Sequence, residues 1–300
     1  MKKRVIILCV CFLLASGINV LWGEQKRIYN DGIIDYAPPY SSIVLSADDF
    51  ESTLEEIQYS LDGASLNTYA GPITLREEGR HVVVYRAVDR AGNVSSEKIY
   101  SVVVDATAPE GSVTVIGSSF NAGQQMYITS NSTIVLWAED NLSGVDTIYV
   151  SLDEGPFIAY TGPVNIPDEG FHSAEAYAVD NVGNKTPVYE LSGYVDNTPP
   201  QVSIAASREF VVVNGQKYTT SNNQYSLEYS DEIAGVRDVL VSLDGSDFVV
   251  YTGPFKVQTQ GRHTIRAKAV DRLGNVSPES ELSFFVDITP PEAKMGVSLD

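Results

Sequence analysis

The sequence predicts an all-β chain of three tandem sandwich domains behind an N-terminal export signal, and three observations predict it. One pattern of residues recurs at constant spacing along almost the whole chain. Within each copy, short runs alternate apolar and polar residues with period two, and Gly, Asp, Asn and Pro punctuate them at short intervals. Beyond the first residues, no window of helical periodicity exceeds two turns.

The chain opens with Lys2, Lys3 and Arg4, an apolar run from Val5 to Leu14, and the small residues Ala15, Ser16 and Gly17, which is the layout of a secretory signal. The small-x-small rule places cleavage best after Gly17 and at the latest after Gly23, so residues 1–23 are assigned to the signal. Retention of the stretch up to Trp22 as an anchor is the alternative. The run falls short of the ~20 residues of a spanning helix, and no later apolar stretch approaches that length, so no transmembrane segment is expected after the signal. Both cysteines, Cys9 and Cys11, lie inside the signal, which leaves the mature chain without a disulfide or a thiolate metal site. Its loss removes three basic and no acidic residues, moving the formal charge from −19 to 17 − 39 = −22. Such a surface repels phosphate backbones and anionic lipid, which excludes nucleic acid as an expected partner and suits solubility or divalent cations.

The repeat is exact in register. The three histidines are His81, His172 and His263, and 172 − 81 = 263 − 172 = 91. Asp89, Asp180 and Asp271 keep this spacing, as do Asn93, Asn184 and Asn275, the Ser-Leu-Asp triplets from Ser60, Ser151 and Ser242, and the Gly-Pro pairs at Gly71, Gly162 and Gly253. Tyr36, Tyr127 and Tyr218 show that the divergent first copy stays in phase. A unit of this length can bury a core of its own. The Pro-containing segments after Thr107, Thr198 and Thr289 stiffen the joints and end strand pairing, which sets the boundaries 24–108, 109–199 and 200–290. Residues 291–300 read as the first strand of a possible fourth copy.

Within a copy, Thr133 to Asp140, Ile148 to Asp153 and His263 to Ala269 alternate as half-buried strands do. Arg266 and Lys268 fall outward in the last of these, and a slip of one residue would bury them. Asp62-Gly63 and Asp244-Gly245 are hairpin signals, and the Asp-x-x-Gly-Asn runs mark a second, longer hairpin. About seven short strands per unit with no helix is the pattern of an immunoglobulin-like, or fibronectin-III-like, β-sandwich.

Tyr-Ser-Leu-Asp-Gly at Tyr59 to Gly63, Glu-Gly-x-His at Glu78 to His81 and Ala-Val-Asp-Arg-Ala-Gly-Asn-Val-Ser at Ala87 to Ser95 together resemble the Ig-like repeats of spirochaetal outer-membrane surface proteins. More loosely, the chain resembles the tandem Ig domains of large bacterial adhesins. The resemblance covers nearly everything after the signal and implies surface display with contact to host matrix or neighbouring cells. The first copy departs from it, with Phe50 to Leu54 in place of the Asp-x-x-Ser-Gly-Val of Asp140 to Val145. A membrane β-barrel, described for some members of that family, is not expected, because the strands are short and proline joints recur where a barrel needs ~10-residue strands with an outward apolar band.

Catalysis is not expected. The histidines are repeat-equivalent, so they cannot join one triad or metal centre, and each is in phase with inward residues at the start of its strand. No phosphate loop, zinc motif or nucleophile elbow occurs. Tyr69, Tyr160 and Tyr251, in register before Gly-Pro, read as fold residues; ligand specificity belongs at positions that differ between copies, such as Phe120 to Gln125 against Val211 to Gln216. Asn-Val-Ser at Asn93 and Asn275 coincides with the repeated turn, and turn chemistry is the simpler reading than glycosylation.

The aspartates carry the sharper expectation. In an Ig sandwich the loop after strand B and the F–G hairpin share the pole of the N-terminus, whereas strand G leaves from the other pole into the next domain. Asp105 then approaches Asp140 and Asp180, and Asp196 approaches Asp231 and Asp271. Carboxylates grouped in this way are hard-oxygen sites that suit Ca²⁺. The competing reading is that Asp89, Asp180 and Asp271 only cap their hairpins through backbone N–H groups. Asp62, Asp153 and Asp244, at the other pole, read as turn residues alone. The functional expectation is a non-enzymatic exported protein, at the cell surface or outer membrane or in the periplasm, whose repeats act as an adhesive or spacer module with an unidentified protein or glycan ligand. The rival is a set of accessory repeats in a longer extracellular enzyme such as a glycosidase.

Overall fold

The computed structural model describes residues 26–49 and 51–295. Residues 1–25, on which the expected signal and both cysteines fall, Phe50 and residues 296–300 lie outside the described residues. Among those described, every regular element is a β-strand, and the chain folds as tandem Ig-like β-sandwiches.

The first sandwich has a six-stranded sheet in the order Tyr29–Asn30, Asp35–Ala37, Lys98–Val104, Gly79–Asp89, Leu54–Leu61, Asn67–Thr68, and a small sheet of Ser42–Ile43 with Ile73–Thr74. In the second, the six-stranded order is Ser119–Ala122, Gln125–Ile128, Tyr189–Val195, Gly170–Asp180, Val145–Leu152, Ile158–Ala159, with Val164–Asn165, Thr133–Glu139 and Glu110–Ile116 in the other sheet. The third has Val211–Val213, Gln216–Thr219, Ser280–Val286, Gly261–Asp271, Val236–Leu243, Val249–Val250, and Gln201–Ala206, Gln224–Ser230, Phe255–Lys256. All three share one parallel pairing, of an early strand with the last, and the in-register tyrosines sit on it: Tyr36 opposite Val103, Tyr127 opposite Tyr194, Tyr218 opposite Phe285. By compactness the chain divides into two units, 1–114 with 135–163 and 174–191, and 115–134 with 164–173 and 192–300.

The alternation read from the sequence is the alternation of burial. Along Gly261–Asp271 the residues His263, Ile265, Ala267, Ala269 and Asp271 are buried and those between them are not. Around this row, Phe284, Val286, Tyr225, Leu227 and Val239 complete the third core. In the first, Val83 and Tyr85 pack with Ile43, Leu45, Leu75, Val102 and Val104. Burying each large apolar side chain contributes about 1.5–3 kcal/mol before entropy is counted. Tyr160 and Tyr251 hold the fold as expected, their hydroxyls accepting the N–H groups of Leu136 and Leu227 at 3.3 and 3.2 Å.

An inward row that starts with His and ends with Asp buries a polar group at each pole, and each must find partners. At the lower pole, His81 places Nδ1 2.7 Å from Asp62 Oδ2 and Nε2 2.8 Å from the Glu77 carbonyl. His263 repeats this with Asp244 Oδ2 and the Thr259 carbonyl, both at 2.8 Å. Asp62 and Asp244 are therefore not turn residues alone. They sit at positive φ of 53° and 52° in the expected turns, and their other oxygens also accept the N–H of Val82 and Thr264. The sequence reading missed this because the partners lie 19 residues apart and on different strands.

Both groups facing the His81 ring are acceptors, so only the imidazolium satisfies them. Burial lowers the pKa of His81, but the Glu77 carbonyl and the Asp62 carboxylate outweigh it and the pKa is raised. Burial likewise works to raise Asp62, yet the Val82 N–H and His81 hold it low. The His81 contribution is thus fully present below the unfolded His pKa of about 6.5 and lost as pH rises through the folded value; that of Asp62 is lost as pH falls below about 4. His81→Gln is expected to lower the melting temperature more at pH 5.5 than at pH 8.5. An equal loss at both values in a calorimetric comparison would remove the charged pair from this account.

Pro291 to Met295 carry no strand, and the rest of the expected fourth-copy strand, residues 296–300, lies outside the described residues.

Candidate metal centres at the repeat joints

At the upper pole the fold brings Asp105, Asp140 and Asp180 together, and Asp196, Asp231 and Asp271, each trio offering carboxylate oxygens within 4.8 Å of one another. The first trio lies wholly in one compact unit and the second wholly in the other. Each member is fixed by a different local device.

Asp105 follows the last strand of its sandwich, where its own N–H is still held by the Ala37 carbonyl at 2.9 Å, just as Asp196 is held by Ile128. Past that point the chain turns. Asp105 Oδ1 accepts the Thr107 N–H at 3.2 Å and Oδ2 accepts the Ser143 N–H of the next repeat at 3.0 Å. Asp196 does the same with Thr198 and Ala234 at 3.0 and 2.8 Å. The Glu of the Glu-Gly-x-His motif holds this turn from the side: Glu78 accepts the hydroxyl of Thr107 and Glu169 that of Thr198. Gln260 takes the part at Thr289.

Asp140 ends Thr133–Glu139 and folds the following loop over its Oδ1, which accepts the N–H groups of Leu142 and Gly144 at 3.1 and 2.8 Å. Gly144 stands at φ 79° and its counterpart Gly235 at 77°, a left-handed position that favours glycine. Asp231 accepts the Gly235 N–H at 2.6 Å.

Asp180 is the last residue of the inward row on Gly170–Asp180, next to a bulge between Val145 and Thr147 that recurs in all three sandwiches. Oδ1 accepts the N–H groups of Val182 and Asn184 at 2.9 and 2.7 Å, and Oδ2 the side-chain amide of Asn184 at 2.6 Å. That same amide reaches the carbonyls of Asp105 and Thr107 at 3.1 and 3.3 Å. Asn275 joins Asp271 Oδ2 to the Asp196 carbonyl in the same way, at 2.7 and 3.2 Å. Turn capping and convergence are therefore not alternatives: one set of aspartates does both. Asn184 and Asn275 were legible only as repeated turn residues, because their second partners come from the preceding repeat.

These oxygens are short of compensation. Asp105 and Asp271 are fully buried, and Asp180 and Asp196 are each 1% exposed. Asp140 Oδ2 and the hydroxyl of Ser143, itself 5% exposed, are buried without a hydrogen-bond partner. One cation touches the rim of the first trio, the Lys26 ammonium donating to Asn184 Oδ1 at 3.0 Å. Burial above all, with the neighbouring Asp105 charge, raises the pKa of Asp180, although three hydrogen bonds from Asn184 and Val182 oppose it. Asp196 is raised by burial and by Asp231 and Asp271.

Repeat one supplies the comparison. Asp89 makes the same two bonds to Asn93, at 2.7 and 2.8 Å, and its pKa is lowered to about 2, chiefly by that side chain and its backbone N–H. The hairpin carboxylate thus moves in opposite directions in the two copies, lowered in the exposed turn of repeat one and raised in repeat two, where burial is the larger cause and the Asp105 charge adds to it. Position 14, where such an aspartate would stand, is Leu14 in the signal. A raised carboxylate pKa means that ionised Asp180 and Asp196 each oppose folding at neutral pH, since the stability each contributes is complete only below about pH 4 and fades as pH rises.

No protein-family model matches this chain, and no curated protein matches it. Among solved structures it is similar to the fibronectin(III)-like modules of Clostridium thermocellum CbhA, with a TM-score of 0.33 and 16% identity over 57% of this chain and 94% of that one. A 1.5-MDa bacterial ice-binding adhesin gives a TM-score of 0.36 and 13% identity over 82% of this chain and 89% of the other. The FN1–FN3 domains of chicken CNTN1 give 0.29 and 13% over 86% and 97%. The structural neighbours are thus fibronectin-III-like and bacterial adhesin modules, while the fold assignment rests on the strand pairing itself. Among the described residues, no helix is long and apolar enough to cross a membrane.

Proposed function

We propose that this chain is an exported, non-catalytic array of Ig-like modules, 24–108, 109–199 and 200–290, that spaces or presents an adhesive surface outside the cytoplasm and whose successive modules are clamped by calcium. The observation that carries the clamp is the pair of equivalent carboxylate trios, Asp105, Asp140, Asp180 and Asp196, Asp231, Asp271, each joining the end of one repeat to two loops of the next.

The donor set supports a hard cation. Every converging ligand atom is a carboxylate oxygen, and Ca²⁺ takes six to eight oxygens in flexible geometry, carboxylates and waters included. Asp140 Oδ2, buried and without a donor, is the group that most lacks a positive partner. A divalent ion would convert three crowded charges from an opposing to a stabilising contribution. An Ig module with such a clamp needs no chemistry of its own, and its ligand is a protein or glycan met at the surface.

Export and display rest on the signal layout of Lys2 to Gly17 and on the motif resemblance to the spirochaetal surface-protein repeats. Protease added to intact cells is expected to cleave the chain while a cytoplasmic control survives. Full protection until the envelope is broken would place it in the periplasm and end the surface reading.

A further inference from the structure

The outward face of Thr133–Glu139 in the second repeat holds an exposed aromatic, Trp137, that the calcium clamp does not use. Period two sends Trp137 and Glu139 away from the buried Ile134 and Leu136, and the indole is 51% exposed. It opens on a groove of about 210 Å³ lined by Thr107, Glu110, Trp137, Glu139, Asp140 and Asn141 together with Ala108. Glu110 and Glu139 are exposed, and the lining contains no lysine or arginine.

The fold does not require this combination. At the positions of Glu110, Trp137 and Glu139 the third repeat has Gln201, Glu228 and Ser230, and the first has Ser46 and Asp48 at the latter two. Elsewhere some rings lie under the chain's own cations: the Lys185 ammonium is 3.2 Å from the ring centre of the buried Tyr177, and that of Lys268 is 4.4 Å from the half-buried Phe248. Trp137 stands in a groove whose charges are all negative.

We propose that this groove binds an arginine side chain presented by a basic segment of another protein. A guanidinium stacks flat on an indole and pairs with carboxylates at its edges, a combination that an ammonium meets less well. The net charge of −19 steers a basic partner toward this surface. The groove shares Asp140 with the clamp, but the inference needs no metal.

The test uses the full chain carrying Trp22→Phe, so that Trp137, one of two tryptophans, is the sole indole. Its emission is titrated in EDTA at low salt with acetyl-Gly-Arg-Arg-Gly-amide. Saturation with a Kd on the order of 1 mM is expected, as suits one cation–π contact with ion pairing. Binding should weaken at least tenfold with the Gln-Gln peptide and in the variant Glu110→Gln with Glu139→Ser, which places the third repeat's residues on the same fold positions. Added salt should also weaken it. Unchanged emission, or an equal response to the Gln-Gln peptide or in the variant, overturns the proposal. A response to cellobiose without one to the arginine peptide overturns it in favour of a glycan platform. Because EDTA is present throughout, failure here leaves the calcium reading untouched, and failure of calcium to raise the melting temperature leaves this one untouched.

Discussion

In 10 mM calcium the chain is expected to melt about 6–22 °C higher than in EDTA. The size follows from the site class. Extracellular oxygen sites bind Ca²⁺ at about 10⁻⁴–10⁻³ M, so 10 mM is a ten- to hundredfold excess and contributes about 1.4–2.7 kcal/mol per site if only the folded state binds. For small domains each kcal/mol moves the midpoint by about 4–8 °C. Calorimetry is the suitable measurement, because tandem domains unfold in more than one step and a single midpoint hides them. The variant Asp105→Ala, Asp140→Ala, Asp180→Ala should lose the response of the first trio and keep that of the second, since Asp196, Asp231 and Asp271 are untouched. Magnesium should do less, because it prefers a tight octahedral shell and keeps its waters. Equal transitions in calcium and EDTA for the parent would leave the aspartates as turn caps and return the joints to the proline segments.

Much of this site was legible in the sequence because a tandem repeat turns topology into arithmetic. Once the hairpin Asp180 and the loop Asp140 were placed at one pole of a sandwich, the strand leaving the preceding repeat had to deliver Asp105 there, and the constant spacing required the same of Asp196, Asp231 and Asp271. The inward row ending in Asp271 was legible from period two. What was not legible came from contacts that sequence spacing does not encode. Asn184 reaches back 79 residues to the Asp105 carbonyl, and the Ser143 N–H crosses 38 residues to Asp105 Oδ2. His81 and Asp62 meet only because Gly79–Asp89 and Leu54–Leu61 pair antiparallel. The exposed Trp137 looked like any strand aromatic until its groove placed Glu110 and Glu139 around it. Among the described residues the first copy shows no such trio: its hairpin Asp89 and loop Asp49 are present, and position 14, one repeat length before Asp105, is a leucine in the sequence.

Asp140→Asn is expected to invert the sign of the metal's effect at the first joint. The substitution keeps the shape and keeps Oδ1, so the N–H groups of Leu142 and Gly144 retain their acceptor. In place of the buried, unpartnered Oδ2 it puts an amide donor beside the carboxylates of Asp105 and Asp180, which lie within 4.8 Å. Without calcium this removes one of three crowded charges and places a donor where the buried oxygen had no partner. A charge-assisted bond from that donor to either neighbouring carboxylate would contribute about 1–3 kcal/mol. In EDTA the variant should therefore melt higher than the parent, by about 4 °C or more. In calcium it should melt lower than the parent, having lost an anionic ligand of the clamp. The two curves cross because the same carboxylate crowding that opposes the empty fold is what a divalent ion binds. A variant less stable than the parent in both conditions would mean that Asp140 Oδ2 is already satisfied by water, and the crowding would then carry no strain for calcium to relieve.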